Sequence, residues 1–192
     1  MDAADLLERA LAAPPDSAER ILFSAAGFGA LVEADIVLVG GGAQVTHTGV
    51  GKVTDIDVAG EITEADEKRL IEAGFSKEGR HWVMEGSGGV IAVEVPAAEL
   101  DGVEPPERID VEGTTVLVIS VTDLMMDRLI QTTDGTTVTY DEALQLAVAG
   151  HERIAWEKLR RRAEGVAAAE PFLKTLPALV DEFDTSAARL LG

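Results

Sequence analysis

The sequence has no cysteine and few aromatic residues, which make up 4% of its 192 residues. The lack of cysteine excludes disulfides, zinc fingers, iron–sulfur clusters and thiol catalysis. No segment approaches the roughly 18 consecutive apolar residues that a membrane-spanning helix needs. The stretch from Met1 to Leu11 is acidic and lacks the basic start of a secretory signal, so we expect a cytoplasmic protein.

Basic residues are also scarce, because 16 lysines and arginines face 35 aspartates and glutamates, which gives a formal net charge of −19. Such a negative field repels nucleic-acid phosphates and anionic lipids, so we expect neither broad nucleic-acid binding nor membrane binding. An acidic, lysine-poor composition is typical of halophilic proteins, whose surface carboxylates hold water and ions in concentrated salt. The hydrophobic fraction of 46% nevertheless indicates a folded chain.

The apolar pattern predicts helices at the start of the chain, short strands and helices in its middle, and only helices after residue 120. The predicted strands are 36–39, 55–59, 80–85, 90–95, 109–111 and 114–119. The predicted helices are 2–12, 16–34, 43–48, 63–73, 121–132, 138 or 139–150, 151–165 and 171–183. We expect residues 1–120 to form an α/β core with N-terminal helices, and residues 121–192 to form a helical section packed on it as one compact unit.

Two aspartates alternate with apolar residues in the predicted strand 55–59. Because side chains two residues apart point to the same side of a strand, Asp55 and Asp57 share one face at about 6 to 7 Å. Paired carboxylates repel each other unless a cation lies between them, and hard oxygen ligands suit Mg²⁺ or Mn²⁺. The plain alternative is a solvated acidic face, which is common in so acidic a chain.

Glu94 is a candidate third ligand. It lies between Val93 and Val95, so its side chain emerges on the face opposite those two apolar residues. A carboxylate on a buried strand needs a partner. That partner is either a metal ion or a basic residue such as Arg80 or Lys52.

A run of three glycines, Gly40, Gly41 and Gly42, follows the predicted strand 36–39. A helix that opens at this run presents free backbone N–H groups and the positive end of its dipole, and the absent side chains allow a phosphate to approach closely. The run therefore predicts a phosphate-binding turn. A tight connection between strand and helix is the alternative.

The order and spacing of these features resemble a known family. Thirteen residues separate Gly40-Gly41 from Asp55-Ile56-Asp57. This spacing resembles the nucleotidyltransferase superfamily typified by DNA polymerase beta. The chain is particularly similar to small prokaryotic nucleotidyltransferase-like proteins in seven short strings, which occur in the same order. The strings are Val39-Gly40-Gly41-Gly42-Ala43, Lys52-Val53-Thr54-Asp55-Ile56-Asp57-Val58, Gly79-Arg80-His81-Trp82, Val93-Glu94-Val95-Pro96, Val118-Ile119-Ser120, Asp123-Leu124 and Asp127-Arg128-Leu129. The resemblance covers about residues 36 to 150.

The resemblance implies an α+β fold, in which a mixed sheet is flanked by helices and followed by a helical C-terminal section. It implies a metal pair, Mg²⁺ or Mn²⁺, on Asp55, Asp57 and Glu94. It also implies transfer of a nucleoside monophosphate from a nucleoside triphosphate to an acceptor hydroxyl. Gly40 and Gly41 match the family's phosphate turn, although its second position is often Ser, so a hydroxyl contact to phosphate is absent or replaced here.

Two basic residues are further candidates for nucleotide binding. Lys52 is either a phosphate ligand or a mobile surface cation. Arg128 either contacts the nucleotide or forms an ordinary ion pair with Asp127 or Asp123. The three histidines, His47, His81 and His151, are too dispersed for a zinc motif, and we interpret each as a local polar residue.

The sequence leaves the acceptor open among a small molecule, a protein and an RNA. A second function also stays open, since a fold does not establish an activity. In that alternative the chain is a catalytically silent nucleotidyltransferase-like module that binds nucleotide or a partner protein, as an antitoxin-like component would.

Overall fold

The computed structural model describes residues 1–100, 102–131, 137–166, 169–170, 173–178 and 180–181. The chain divides into two compact units, Met1–Ile119 and Ser120–Gly192. The first unit contains the helices α1 (Ala3–Ala12), α2 (Ala18–Gly29), α3 (Gly40–Thr48) and α4 (Glu64–Glu72). Its strands are β1 (Val37–Leu38), β2 (Ile56–Ala59), β3 (Ser76–Glu78), β4 (His81–Gly86), β5 (Gly89–Ala97), β6 (Glu107–Val111) and β7 (Thr114–Val118).

The strands of the first unit form one mixed sheet in the order β3-β4-β5-β2-β1-β7-β6. The central pairs β2–β5 and β1–β7 are parallel, whereas β1–β2, β3–β4, β4–β5 and β6–β7 are antiparallel. Parallel pairs need crossover connections, and helices such as α3 and α4 occur in these connections. The mixed sheet with flanking helices that the sequence predicts is confirmed.

The core of the first unit lies between the sheet and the N-terminal helices. Asp2 caps α1 and Ser17 caps α2, each accepting a backbone N–H of the first turn. Helix α2 packs against α1 and against β2 and β7. The side chains buried in this unit include Leu6, Phe28, Leu38, Val58, Leu70, Ile91 and Val93.

The structure differs from the predictions for the first unit at two helix boundaries and at one strand. Helix α2 covers Ala18–Gly29 and not 16–34; a Cβ on its Gly27 would press against the side chain of Leu7, so this glycine permits close packing of α1. Helix α3 begins at Gly40, directly after β1, and not at residue 43. Strand β3 was not predicted because all three of its side chains are polar and exposed, which removes the apolar alternation that marks a strand.

The second unit is helical in its described residues, as the sequence predicts. It contains α5 (Val121–Gln131), α6 (Thr137–Gly150) and α7 (Trp156–Ala163). The predicted helix 151–165 begins only at Trp156. The predicted helix 171–183 lies partly outside the described residues, of which 173–178 and 180–181 are helical. Among the described residues, no helix is both long enough and apolar enough to cross a membrane.

A buried polar network fixes the start of α5. Ser120 Oγ accepts the backbone N–H of Asp123 at 3.0 Å and donates to its carboxylate at 2.9 Å. Arg162 of α7 pairs with the same carboxylate. The carboxylate of Asp123 therefore has a structural role within the second unit.

Candidate metal and phosphate site

Two neighbouring parallel strands bring the predicted carboxylates to the middle of the sheet. Strand β2 pairs with β5 so that Asp57 lies opposite Glu94. Asp55 directly precedes β2, where Thr54 Oγ1 donates a 2.8 Å hydrogen bond to its Oδ1. The alternation of apolar and acidic residues produces this arrangement, since Ile56 and Val58 are buried in the core.

The structure gathers Asp55, Glu94 and His81 into one cluster. One ligand atom from each lies within 4.8 Å of the others. His81 Nε2 is 3.4 Å from Asp55 Oδ2 and 3.3 Å from Glu94 Oε2. The Glu94 side chain is only 8% exposed, whereas Asp55 and His81 are about one-third exposed. We call these three residues the Asp–His–Glu cluster.

The sequence analysis interprets His81 as a local polar residue, and the structure adds that it lies beside Asp55 and Glu94. Strands β4 and β5 form a hairpin around Ser87 and Gly88, and its register places His81 directly opposite Glu94. The predicted strands 80–85 and 90–95 held a usable signal, because counting outward from the residues between them pairs Gly86 with Gly89 and, five steps further, His81 with Glu94. A zinc motif defined by spacing along the chain does not detect such a cross-strand pair.

Asp57 lies beside the glycine turn. A Cβ added to Gly40 would overlap Asp57 Oδ2, and Gly40 has φ +57, a conformation that L side chains rarely adopt. The backbone oxygen of Asp57 also accepts the N–H of Val39 at 2.9 Å. Among the described residues, the compact ligand set contains Asp55 and Glu94 but not Asp57. The carboxylate of Asp57 is therefore held against the first turn of α3.

The other two glycines differ in their surroundings. A Cβ at Gly41 would meet nothing nearer than Val53 Cγ2 at 3.8 Å, whereas a Cβ at Gly42 would press on Leu38 at 2.9 Å. Helix α3 has Val39 at its N-cap and no side-chain hydrogen bond to the cap. Within the glycine run, the open space therefore lies beside Gly41.

Glu94 has a basic partner. Arg80 Nε lies 3.0 Å from Glu94 Oε1, while Oε2 faces His81. The ion pair with Arg80, which the sequence offered as the alternative to a metal, is thus present. The Arg80 side chain is 74% exposed, whereas Glu94 is buried, so a cation that displaced Arg80 would have to replace its charge beside Glu94. Lys52 lies in the exposed loop before β2.

Arg128 is buried in the second unit. Its Nη1 donates to Gln131 at 2.9 Å and lies 3.4 Å from Asp127, and its Nε lies 3.3 Å from Glu142. The ion pair with Asp127 that the sequence offered as an alternative is present. Asp127 itself is desolvated, and this raises the pKa of its carboxyl although Arg128 acts in the opposite direction.

The Asp–His–Glu cluster could hold a divalent metal ion. It offers two carboxylates and one imidazole within reach of a single ion, and a cation would relieve the repulsion between Asp55 and Glu94. A mixed nitrogen and oxygen set suits Mn²⁺ and later transition metals better than it suits Mg²⁺, which prefers oxygen alone.

No protein-family model and no curated protein matches the sequence. Among solved structures, the chain is similar to an antigenic nucleotidyltransferase-like protein from Paracoccidioides brasiliensis. The TM-score is 0.53 at 14% identity, and the match covers 70% of this chain and 78% of the other.

The chain also matches two structures of ANT(2'')-Ia, at lower TM-scores. The solution structure of this antibiotic-resistance factor gives 0.48 at 16% identity, covering 79% of this chain and 94% of that one. The crystal structure with adenylyl-2''-tobramycin gives 0.45 at 17% identity, covering 85% and 98%. The first match carries the structural conclusion: the chain has a nucleotidyltransferase-like fold.

Proposed function

We propose that this protein is a metal-dependent nucleotidyltransferase, which moves a nucleoside monophosphate from a nucleoside triphosphate to an acceptor hydroxyl. One observation supports this proposal above the others. The glycine turn at the start of α3 touches Asp57, and Asp57 pairs across the sheet with Glu94 of the Asp–His–Glu cluster. The predicted phosphate-binding turn and the Asp–His–Glu cluster thus lie side by side.

In this proposal Asp55, Asp57 and Glu94 hold Mg²⁺ or Mn²⁺, and His81 adds a nitrogen ligand. When bound, the metal stabilises the negative charge that develops on the transferred phosphoryl group and on the departing pyrophosphate. Asp57 contributes from beside Gly40, which brings any ion on its carboxylate close to phosphates on α3.

The remaining residues bind and orient the nucleotide. Backbone N–H groups of Gly40, Gly41 and Gly42 donate to the phosphates, aided by the positive end of α3. Lys52, free to move in its loop, adds a positive charge. The acceptor hydroxyl loses its proton, its oxygen bonds to the α-phosphorus, and the bond to pyrophosphate breaks.

We assign this chemistry to residues 1–120. Arg128 belongs to the predicted helical section, residues 121–192, and stays a predicted nucleotide contact. It is a weaker candidate than Lys52, because its buried guanidinium already engages Asp127 and Glu142.

A catalytically silent module is the second candidate, and it too has an observation in its favour. Arg80 occupies one oxygen of Glu94, and Asp57 lies outside the compact ligand set of the described residues. In this alternative the turn binds nucleotide without consuming it, and a partner protein receives the signal.

Incubation with labelled nucleoside triphosphates separates the two functions. Each triphosphate is mixed with the protein, Mn²⁺ or Mg²⁺, high KCl and a cell extract that supplies acceptors. The enzyme gives labelled product together with pyrophosphate. Nucleotide that binds but is recovered intact with every metal and extract would contradict the enzyme and favour the silent module.

A further inference from the structure

A cavity of about 240 Å³ opens in the first unit between α2, the segment before β2 and the start of β5. We call it the Arg20 cavity, after one of its lining residues. The lining also includes Ser24, Thr54, Asp55, Val90 and Ile91. Its volume is below the roughly 300–1,000 Å³ of pockets for drug-sized ligands, so it suits a smaller molecule.

The Arg20 cavity shares a residue with the proposed metal site. Asp55 lines the cavity and also belongs to the Asp–His–Glu cluster. A molecule in the cavity therefore reaches a residue that would hold the metal. The proposed reaction requires the acceptor oxygen near such a residue, because a bound metal would activate that oxygen.

Arg20 brings a buried positive charge to the cavity. The residue is only 9% exposed. Its guanidinium donates to the backbone oxygens of Ala13 at 3.2 Å, Gly88 at 3.3 Å and Val90 at 2.9 Å. Within the described part of the chain no carboxylate forms an ion pair with it, although Asp16 and Asp55 also line the cavity. A buried guanidinium without a paired carboxylate can bind the anionic group of a ligand.

Ser24 supplies a second, independent indication of a ligand. It is completely buried, and its Oγ has no hydrogen-bond partner among the described residues. A buried hydroxyl without a partner destabilises the folded state. A ligand oxygen in the cavity would satisfy it.

We propose that the Arg20 cavity binds the acceptor, and that the acceptor is a small hydroxylated compound with one carboxylate or phosphate group. Arg20 holds the anionic group, Ser24 hydrogen-bonds to the ligand, and a ligand hydroxyl lies next to Asp55. In the transfer step this hydroxyl gives its proton to water and bonds to the α-phosphorus, and pyrophosphate leaves with the electrons of the broken bond. The identity as acceptor rests on the proposed function, whereas the binding site itself does not.

The proposal is tested by titrating the full chain with three related probes in the presence of Mn²⁺ and high KCl. The probes are D-glycerate, glycerol 3-phosphate and glycerol, which share hydroxyl groups but differ in charge. Calorimetry and thermal unfolding report binding without any turnover. We expect saturable binding of at least one anion, with a Kd of about 1 mM or below, and no measurable binding of glycerol. The two anions distinguish a carboxylate from a phosphate acceptor.

Ser24→Ala is the decisive variant, and Ser76→Ala is its matched control on the exposed strand β3. Loss of one hydrogen bond should raise the Kd of the anion about two- to tenfold, and the control should leave it unchanged. The unfolding midpoint of free Ser24→Ala should equal or exceed that of the wild type, because the lost hydroxyl had no partner.

Three results would overturn the proposal: neither anion binds, glycerol binds as well as the anions, or Ser24→Ala binds like the wild type. A lower midpoint for free Ser24→Ala would also count against it, since it would reveal a structural partner. Anion binding without any nucleotide transfer would support the proposed binding site. It would contradict only the proposed enzymatic function.

Discussion

The imidazole Nε2 of His81 lies 3.3 Å from Oε2 of Glu94, across the β4–β5 hairpin. The pair adds a nitrogen donor to a group that the sequence presented as carboxylates only. Glu94 is buried and His81 is partly exposed, so solvent reaches the imidazole but hardly reaches the carboxylate. In the proposed metal site, this nitrogen should shift the preference towards transition metals.

His81→Asn should reduce the preference for transition metals. Imidazole nitrogen binds Mn²⁺, Co²⁺ and Zn²⁺ more readily than Mg²⁺, so loss of His81 should weaken Mn²⁺ binding about tenfold and change Mg²⁺ binding much less. Competition calorimetry with both ions measures the ratio of the two Kd values. His151→Asn, which changes a histidine of the second unit, serves as the control. An unchanged ratio in His81→Asn would remove His81 from the ligand set.

Metal binding should stabilise the fold through Asp55. An ion that binds only the folded protein raises the unfolding midpoint, and the rise grows with ion concentration. We expect a clear rise for the wild type in millimolar Mn²⁺ and almost none for Asp55→Asn. Glu85→Gln removes the same charge from an exposed position of strand β4 and should respond like the wild type. Equal responses of all three proteins, at fixed high ionic strength, would indicate a non-specific effect.

Much of the fold and part of the site follow from local pattern. Ile56 and Val58 alternate with Asp57, so the strand and its acidic face were predictable. His81 was also within reach, because the hairpin register can be counted from the Gly86 to Gly89 turn. The mixed sheet followed from the resemblance rather than from the pattern alone.

Other features depend on contacts between distant segments. Arg20 and Ser24 are ordinary helix residues by pattern, and only the folded structure shows that they line a cavity with Asp55. Likewise, only the structure shows that Gly40 has a positive φ and lies against Asp57. No local spacing in a single sequence indicates such contacts.

Gly40→Ala and Gly41→Ala should differ sharply although they are neighbours. Alanine at position 40 would be strained at φ +57 and would overlap Asp57, whereas alanine at position 41 has room. We expect Gly40→Ala to lower the free energy of unfolding by about 1–3 kcal/mol and to weaken nucleotide binding. Gly41→Ala should change each by much less. Denaturant unfolding and nucleotide titration measure both quantities. Similar losses in the two variants would contradict this account of the turn.

Asp66 should make the fold sensitive to acid. Burial alone would raise its pKa, but hydrogen bonds from Thr63, Glu33 N–H and Arg69 outweigh burial and lower the pKa to about 2. Because the pKa is about 3.8 in the unfolded chain, the stabilisation is complete above that pH and is lost as pH falls towards 2.

Asp66→Asn tests this contribution directly. The variant should be less stable by roughly 1–3 kcal/mol near neutral pH, because buried donors lose a charged acceptor. The difference from the wild type should shrink as pH falls from about 4 to 2. Urea unfolding across this range measures both proteins, with Asp110→Asn on strand β6 as the control. A difference that stays constant with pH would show that the ionised form of Asp66 contributes nothing.

The central claim is that the carboxylates of this sheet support nucleotidyl transfer, and Asp57→Ala tests it most directly. Asp57 lies against the glycine turn, and its loss removes charge stabilisation that the transition state requires. The measurement is the rate of pyrophosphate release with the triphosphate and acceptor on which the wild type acts, after circular dichroism shows that the variant is folded. We predict that the rate falls by about 10³-fold or more. Pyrophosphate release that continues undiminished in folded Asp57→Ala would contradict the proposed mechanism.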